Sequence, residues 1–396
     1  MADQDGGYFD EPDLGNASSG EDVVAAPQGF GSSLGGSFVA ILIGLALVPL
    51  ACIGLFWNEG HAVHVERALA ETQKTVRTIP TDRRDPSLDG RPVHVAGTVT
   101  SAGGVRDPQL GIGRAGLVLA RKVEMYQWRE SQTGSGQDRK YVYRQEWSDS
   151  AHDSSHFHTP SGHQNPSFPN VRSRSFAAAD ARIDAIPVGT AVQDLGADQD
   201  MPVDEAGAAA VAKGMGRTAR VDGGAYYVGR EPETPKVGDL KISYRWREAG
   251  PASFIGSQEA SGLRPFRATN GEEILLAAPG IRSADQLVAK GQDDNKLLTM
   301  ILRVVGLVVL LIGFLLLFAP VNLLANYVPI LGSLVSGATF LVALAATLVV
   351  GPSVIALAWL AYRPLLALAI VAVSLLAGFG LVRLRRRKQA PAYAPA

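Results

Sequence analysis

Between Leu297 and Phe318 the chain reads LLTMILRVVGLVVLLIGFLLLF, 22 residues with a single charge at Arg303. A helix rises ~1.5 Å per residue and the apolar core of a bilayer is ~30 Å thick, so ~20 apolar residues make one crossing. Three more runs invite the same reading: Phe38–Trp57, Val328–Ala361 and Leu365–Val382. Val328–Ala361 is 34 residues long and carries Pro329 and Pro352. It is therefore read as a crossing over Phe340–Leu360, with Pro329–Thr339 as a tilted or interfacial lead-in. Phe38–Trp57 is not a signal peptide, because an acidic tail precedes it instead of a basic one, and the run ends in FWNEG. The expectation is an integral membrane α-helical protein with four transmembrane helices.

Mean hydropathy is only +0.09, so a large polar part must dilute these runs. Residues 1–37 carry seven acidic groups and no Lys or Arg, and are expected to be disordered. Residues 58–296 form one loop of 239 residues, read as a β-rich α+β extramembrane domain inserted between helices 1 and 2. The remaining divisions are 38–57, 297–319, 340–361 and 364–382 for the helices and 383–396 for a basic tail. A formal charge of −1 gives no basic surplus for nucleic acid. The single cysteine, Cys52, excludes an intramolecular disulfide.

Within the loop, Val65, Leu69, Thr72 and Val76 fall at helical spacing, so the first helix should continue beyond the membrane. RPVHVAGTVT alternates as a strand. Leu117–Glu130 and Tyr141–Trp147 alternate again around SQTGSGQDR, which predicts a long-looped hairpin. Residues 148–175 are irregular, Glu205–Met215 is an alanine-rich helix, and strands resume at Ala225–Gly229 and Asp239–Arg247, the latter with Leu240, Ile242, Tyr244 and Trp246 on one face. Shorter strands are expected near Phe254, Phe266 and Ile274–Ala277. VEMYQWRE and ISYRWRE share a pattern that two copies of a small β unit would produce. Ser283 and Gln286 make a capping box that starts the helix leading into the membrane.

Arg383, Arg385, Arg386, Arg387 and Lys388 follow the last run and place the C-terminus in the cytoplasm by the positive-inside rule. Four crossings then put the N-tail inside and the large domain outside. Arg67, Lys74 and Arg77, after the first helix, pull the other way. Arg303 lies close enough to a helix end for its side chain to snorkel to the interface. Asn322 and Asn326 are expected to cap and line the loop after the second helix.

GIGRAG (Gly111, Gly113, Gly116) matches a dinucleotide fingerprint by letter, but no helix follows it, so it reads as a turn. His152, His156, His158 and His163 crowd one segment with Asp153, yet their spacing fits no zinc motif, and HExxH, GxSxG, P-loop and CxxC patterns are absent from the sequence. Glu124 and Glu130 lie on one face of a strand, where a salt-bridged face is a simpler reading than a catalytic pair. No charged ladder crosses the membrane. Gly306 and Gly313, seven apart, permit close helix contact, and self-association through them is expected.

The chain resembles the transmembrane protein 43 family, also called LUMA, over about residues 36–383. The resemblance rests on WNEGHA, RPVHVAGTV, VEMYQW followed by YxYxxEW, GHQNPSF, KVGDLKISY and WLAYRPLLAL, in that order. The residues singled out by these motifs and their strands are Asn58, Glu59, Gly60, Glu124, Tyr126, Trp128, Trp147, His163, Asn165, Pro166, Gly238, Asp239, Tyr362, Arg363 and Pro364. The resemblance implies a self-associating scaffold of endomembranes, in eukaryotes of the endoplasmic reticulum and inner nuclear membrane, binding lamins and emerin and having no enzymatic activity. The Ala- and Gly-rich composition and acidic tail suggest a bacterial member, in whose cytoplasmic membrane lamins do not exist. The expected function is thus a multi-pass, homo-oligomeric membrane scaffold in contact with lipids, without cofactor, metal or catalytic residues. The rivals are a lipid-binding or envelope-stress sensor and a metal-dependent enzyme using the His-rich loop.

Overall fold

The computed structural model of the protein describes residues 21–25, 30–133, 140–325 and 329–365, with residues 368, 369, 372, 373 and 376 beyond them. Most of the expected fourth crossing, the basic tail, Asn326 and residues 1–20 lie outside the described residues. The chain divides into two compact units, one of residues 1–28, 104–177 and 196–248 and one of residues 29–103, 178–195 and 249–396.

Among the described residues, the second unit holds three helices long and apolar enough to cross a membrane: Phe38–Thr75, Ala284–Leu317 and Val335–Tyr362. The first is the greater part of α1 (Phe30–Thr75), which runs without a break from the apolar segment into the extramembrane region. It starts eight residues before the expected Phe38. A 3.6-residue period persists across Asn58–Gly60, with nothing in the sequence to stop it. A short helix α2 (Glu205–Met215) belongs to the other unit, and α3 (Ala284–Leu317) opens on the expected Ser283/Gln286 capping box. A short α4 (Ala319–Ala325) precedes α5 (Pro329–Tyr362). The Pro329–Thr339 lead-in is helical and continuous with the rest of α5. Pro329 opens it, where a missing N–H leaves no bond unmade, and Pro352 is carried inside it, as helices packed in a membrane tolerate. Leu297, Met300, Ile301, Val304 and Val308 of α3 are exposed, as a lipid-facing surface requires.

Gly306 and Gly313 face α1 of the same chain. A Cβ at Gly306 would meet Leu55 Cδ2 at 2.5 Å, and one at Gly313 would meet Val48 N at 3.2 Å. At the same level a Cβ on Gly44 would meet Gly313 O at 2.7 Å. These glycines therefore bring α1 and α3 to backbone contact within the chain, which corrects their assignment to an intermolecular interface.

Beyond the apolar segments, α1 and α3 carry the second unit's sheet. Its central strands are β2 (Pro92–Thr100) and β10 (Gly250–Glu259), paired antiparallel from Pro92↔Ser257 to Val99↔Gly250. Around them pair β6 (Arg182–Ile183) on β2, and β11 (Gly262–Arg264) and β12 (Leu276–Pro279) on β10. Ala68 and Leu69 of α1, Leu287 and Val288 of α3, Ile255 of β10 and Ala278 of β12 form one buried apolar cluster. The helices and this sheet share a core.

The first unit is built on a second antiparallel sheet. Its strands are β1 (Glu21–Ala25), β3 (Val118–Thr133), β4 (Lys140–Ser148), β5 (Arg174–Ala177), β7 (Ala219–Asp222), β8 (Ala225–Val228) and β9 (Leu240–Arg247). The main order is β1-β4-β3-β9-β8-β7. The β3–β4 hairpin is the expected one with longer arms, since pairing continues to Thr133↔Lys140. Part of the supposed acidic tail, Glu21–Ala25, is the edge strand of this sheet, paired with Arg144–Lys140. Leu240, Ile242, Tyr244 and Trp246 are buried as the alternation foretold. VEMYQWRE and ISYRWRE lie on β3 and β9, which are antiparallel neighbours in one sheet; the shared pattern therefore lies within one sheet, on adjacent strands.

Candidate functional site

The residues of WNEGHA and WLAYRP lie 300 positions apart and meet at the end of the three-helix bundle. Glu59 follows the apolar run on α1, and its side chain is 3% exposed. Arg303, one turn and a half into the apolar run of α3, reaches it with a fork: Nε to Oε1 at 2.5 Å and Nη2 to Oε2 at 2.7 Å. Trp359 of α5 donates its indole N–H to Glu59 Oε2 at 2.8 Å. The expectation that Arg303 snorkels to the interface is thereby corrected. It pairs with a buried carboxylate, because an acceptor inside the bundle satisfies two donors in fixed geometry.

Around this pair the contacts tie the same three helices. Asn58 Nδ2 donates to Thr299 O at 3.2 Å, and Asn295 Nδ2 to Ala62 O at 3.0 Å. Gly60 lies flat against the Tyr362 ring, where a Cβ would come within 2.6 Å of Cζ. Arg67 Nη2 donates to Tyr362 O at 2.9 Å, Arg363 pairs with Glu66, and Phe56 packs on Tyr362 at 5.4 Å. Asn58, Glu59, Gly60, Tyr362, Arg363 and Pro364, singled out by resemblance alone, thus form one cluster, with Pro364 beside Tyr362 and Arg363 on a neighbouring shallow hollow. Arg303 and Trp359 were missed as its central members; the charge in an apolar run was the available signal. Next to it opens a cleft of about 410 Å³ lined by Gln292, Asn295, Lys296, Arg303, Trp359 and Arg363 among others.

The motif residues of the first unit form a different, structural group. Asn165 Oδ1 accepts from Trp128 N at 2.7 Å and its Nδ2 donates to Trp128 O at 2.8 Å, so one side chain stands in for a strand partner. His163 is buried, stacks on Tyr143 at 3.9 Å and meets Trp128 edge-on at 4.7 Å. Glu130 accepts from the Tyr143 hydroxyl at 2.7 Å and from His158 N at 2.5 Å; burial first, then this carboxylate, raises the pKa of the phenol. Glu124 instead pairs with Lys122 at 2.7 Å, so the two glutamates share a strand and no site. Tyr126 lies opposite Trp147, with ring centroids 5.2 Å apart. Gly238, at φ 96°, fits under Pro166, while Asp239 accepts from the Tyr227 hydroxyl at 2.5 Å and from Lys236 N at 2.9 Å.

Each imidazole of the His-rich loop has its own surroundings. His156 faces Asp153 at 2.9 Å, His158 stacks on Tyr141 at 4.1 Å, and His152 Nε2 lies 3.9 Å from Glu146 Oε1. Among the described residues no three His, Cys, Asp or Glu side chains converge as metal ligands would. GIGRAG forms a turn at Gly111 (φ 71°) and a two-residue strand at Gly113–Arg114, followed by β3. The sheet's interior also holds an ion pair that sequence reading missed. Arg121 Nη1 donates to Asp107 Oδ2 at 2.5 Å with both side chains essentially buried, and the Tyr244 hydroxyl donates to the same oxygen at 2.6 Å.

A family model described as transmembrane protein 43 matches residues 125–364. The mouse protein named "Transmembrane protein 43" is 29% identical over 381 residues, covering 89% of this chain and 92% of its own. The human protein of that name is also 29% identical, over 379 residues with the same coverage. The Drosophila melanogaster "Transmembrane protein 43 homolog" is 27% identical over 346 residues, 82% of this chain and 89% of its own. No solved structure matches the chain.

Proposed function

Since this chain belongs to the transmembrane protein 43 family and is an integral membrane protein, we propose that it works as a scaffold that organises other membrane or envelope proteins. The observation that carries the reading is mechanical. Three apolar helices are locked at one level by the Glu59–Arg303–Trp359 contacts, and two of them continue into a core shared with a sheet. A frame of this kind holds partners at fixed positions relative to the bilayer and needs no catalytic group. The fourth crossing over 364–382 belongs to the same proposal. It is supported by the contact of Arg363, just after α5, with Glu66 of α1, beyond the apolar run of that helix. One more crossing would then return the basic tail to the cytoplasm and leave the β-rich part extracytoplasmic. In a bacterial membrane the partners are envelope proteins; in a eukaryotic endomembrane they include lamins and emerin. With Gly306 and Gly313 engaged inside the chain, homo-oligomers form through other lipid-facing surfaces.

Chemical crosslinking in native membranes, followed by purification of the full chain, tests the scaffold. The expected result is a reproducible set of partner proteins together with a self-crosslinked species. A chain recovered only as a monomer without partners would refute it. A reporter active only in the cytoplasm, working at Ala396 and silent at Gly136, checks the orientation separately.

A further inference from the structure

We infer that the cleft beside Glu59 and Arg303 is a binding site for one phospholipid, holding its phosphodiester between Arg303, Lys296 and Arg363. The inference rests on the membrane placement of the three helices and is independent of the scaffold role. The cleft of about 410 Å³ opens where polar α3 residues Gln292, Asn295 and Lys296 give way to the apolar run. That is the depth at which a headgroup meets the acyl region, and clustered Arg and Lys side chains there hold a phosphodiester through charge-assisted hydrogen bonds. Arg303 commits Nε and Nη2 to Glu59, while Nη1 has no protein acceptor among the described residues. The Glu59 carboxylate thus fixes the guanidinium plane and presents a preoriented donor to the cleft.

The other two cations are held loosely. Lys296 pairs with Asp293 at 3.0 Å with both side chains 74% exposed, and Arg363 pairs with Glu66, both partly exposed. Exposed pairs of this kind exchange readily for a phosphate. The Trp359 indole lines the same cleft, the amphipathic ring expected at this depth. Met300, Ile301 and Val304 of α3 are exposed just below and offer an apolar track for acyl chains. The mixed carboxylates Glu66 and Asp293 leave room for an ammonium headgroup, so the phosphodiester is the common recognition element.

The test uses the full chain in detergent, with retained lipid read by native mass spectrometry after adding dioleoyl phosphatidylethanolamine, dioleoyl phosphatidylglycerol or dioleoylglycerol. Either phospholipid should be retained one to one, and dioleoylglycerol, which lacks the phosphate, should not. Lys296→Gln should weaken retention about fivefold, matching the ~1 kcal/mol of one basic side chain at a phospholipid surface. Arg303→Lys, which keeps the charge opposite Glu59 but loses the rigid planar fork that grips the carboxylate and aims a donor at the cleft together, should weaken it further. Should that variant fail to fold, exposed Lys296 still decides the matter. Equal retention of dioleoylglycerol would overturn the inference, as would wild-type retention in Lys296→Gln. Displacement by soluble glycerophosphate at equal concentration would also overturn it, by revealing a site for free anions.

Discussion

Replacing Arg303 by Leu while leaving Glu59 in place should be the most damaging single change in the bundle. Glu59 is 3% exposed and would keep only the Trp359 N–H. Breaking a buried pair from one side costs ~3–5 kcal/mol, because the remaining charge stays desolvated without its partner. Glu59→Gln is the milder lesion. It retains an acceptor for Trp359, and Arg303, 34% exposed, can turn toward water, so a cost of ~1–3 kcal/mol is expected. The double variant, Glu59→Gln with Arg303→Leu, leaves no charge in the bundle. Its cost should be no larger than that of Arg303→Leu alone, so the coupling between the two positions should be at least the ~1–3 kcal/mol of Glu59→Gln. Equilibrium unfolding in detergent, followed by far-ultraviolet circular dichroism and tryptophan fluorescence, measures all four corners of the cycle. Additive losses, with coupling below ~0.5 kcal/mol, would show that the two groups do not depend on each other and that the helices are held by apolar packing alone.

Gly313→Leu should lower the thermal stability of the bundle by ~1–3 kcal/mol, because a side chain there enters the α1 backbone at Val48; a melting temperature equal to wild type would refute that placement. Arg121→Met should cost ~3–5 kcal/mol and make the extramembrane part sensitive to limited proteolysis, since Asp107 would remain wholly buried without its cation. His94 is buried between Thr78 and Arg282 O, and burial lowers its pKa. Its contribution to stability is therefore fully present above ~6.5 and is lost as pH falls below that value toward the folded-state pKa, since the unfolded chain takes up the proton first. Melting curves from pH 7.5 to 5 should show the decline, and His94→Gln should flatten it.

Much of this architecture could be read without coordinates. Runs of ~20 apolar residues leave little choice but to span a bilayer as helices, since only internal backbone bonds survive there. The alternating strand at 240–247, the helix at Glu205–Met215 and the Ser283 cap likewise follow from local periodicity and local hydrogen bonding. So does the continuation of α1 past the membrane, which needs only an unbroken 3.6-residue pattern. The β10 strand was legible only as a short segment near Phe254, because a strand buried on both faces loses its alternation.

What tertiary structure alone decided is which distant residues share a location. The sequence placed one charge in an apolar run and supplied a short-range reason for it; the fold brought in Glu59, 244 residues away. It turned Gly306 and Gly313 toward α1 of the same chain, although their spacing is equally suited to a second copy. It also dispersed the four histidines of one short segment among separate ring and carboxylate contacts. Periodicity fixes which face of an element is apolar, because that depends on neighbours within a turn or two. The partner a buried charge or a small residue will meet depends on how whole elements pack, and nothing in the local chain encodes that meeting.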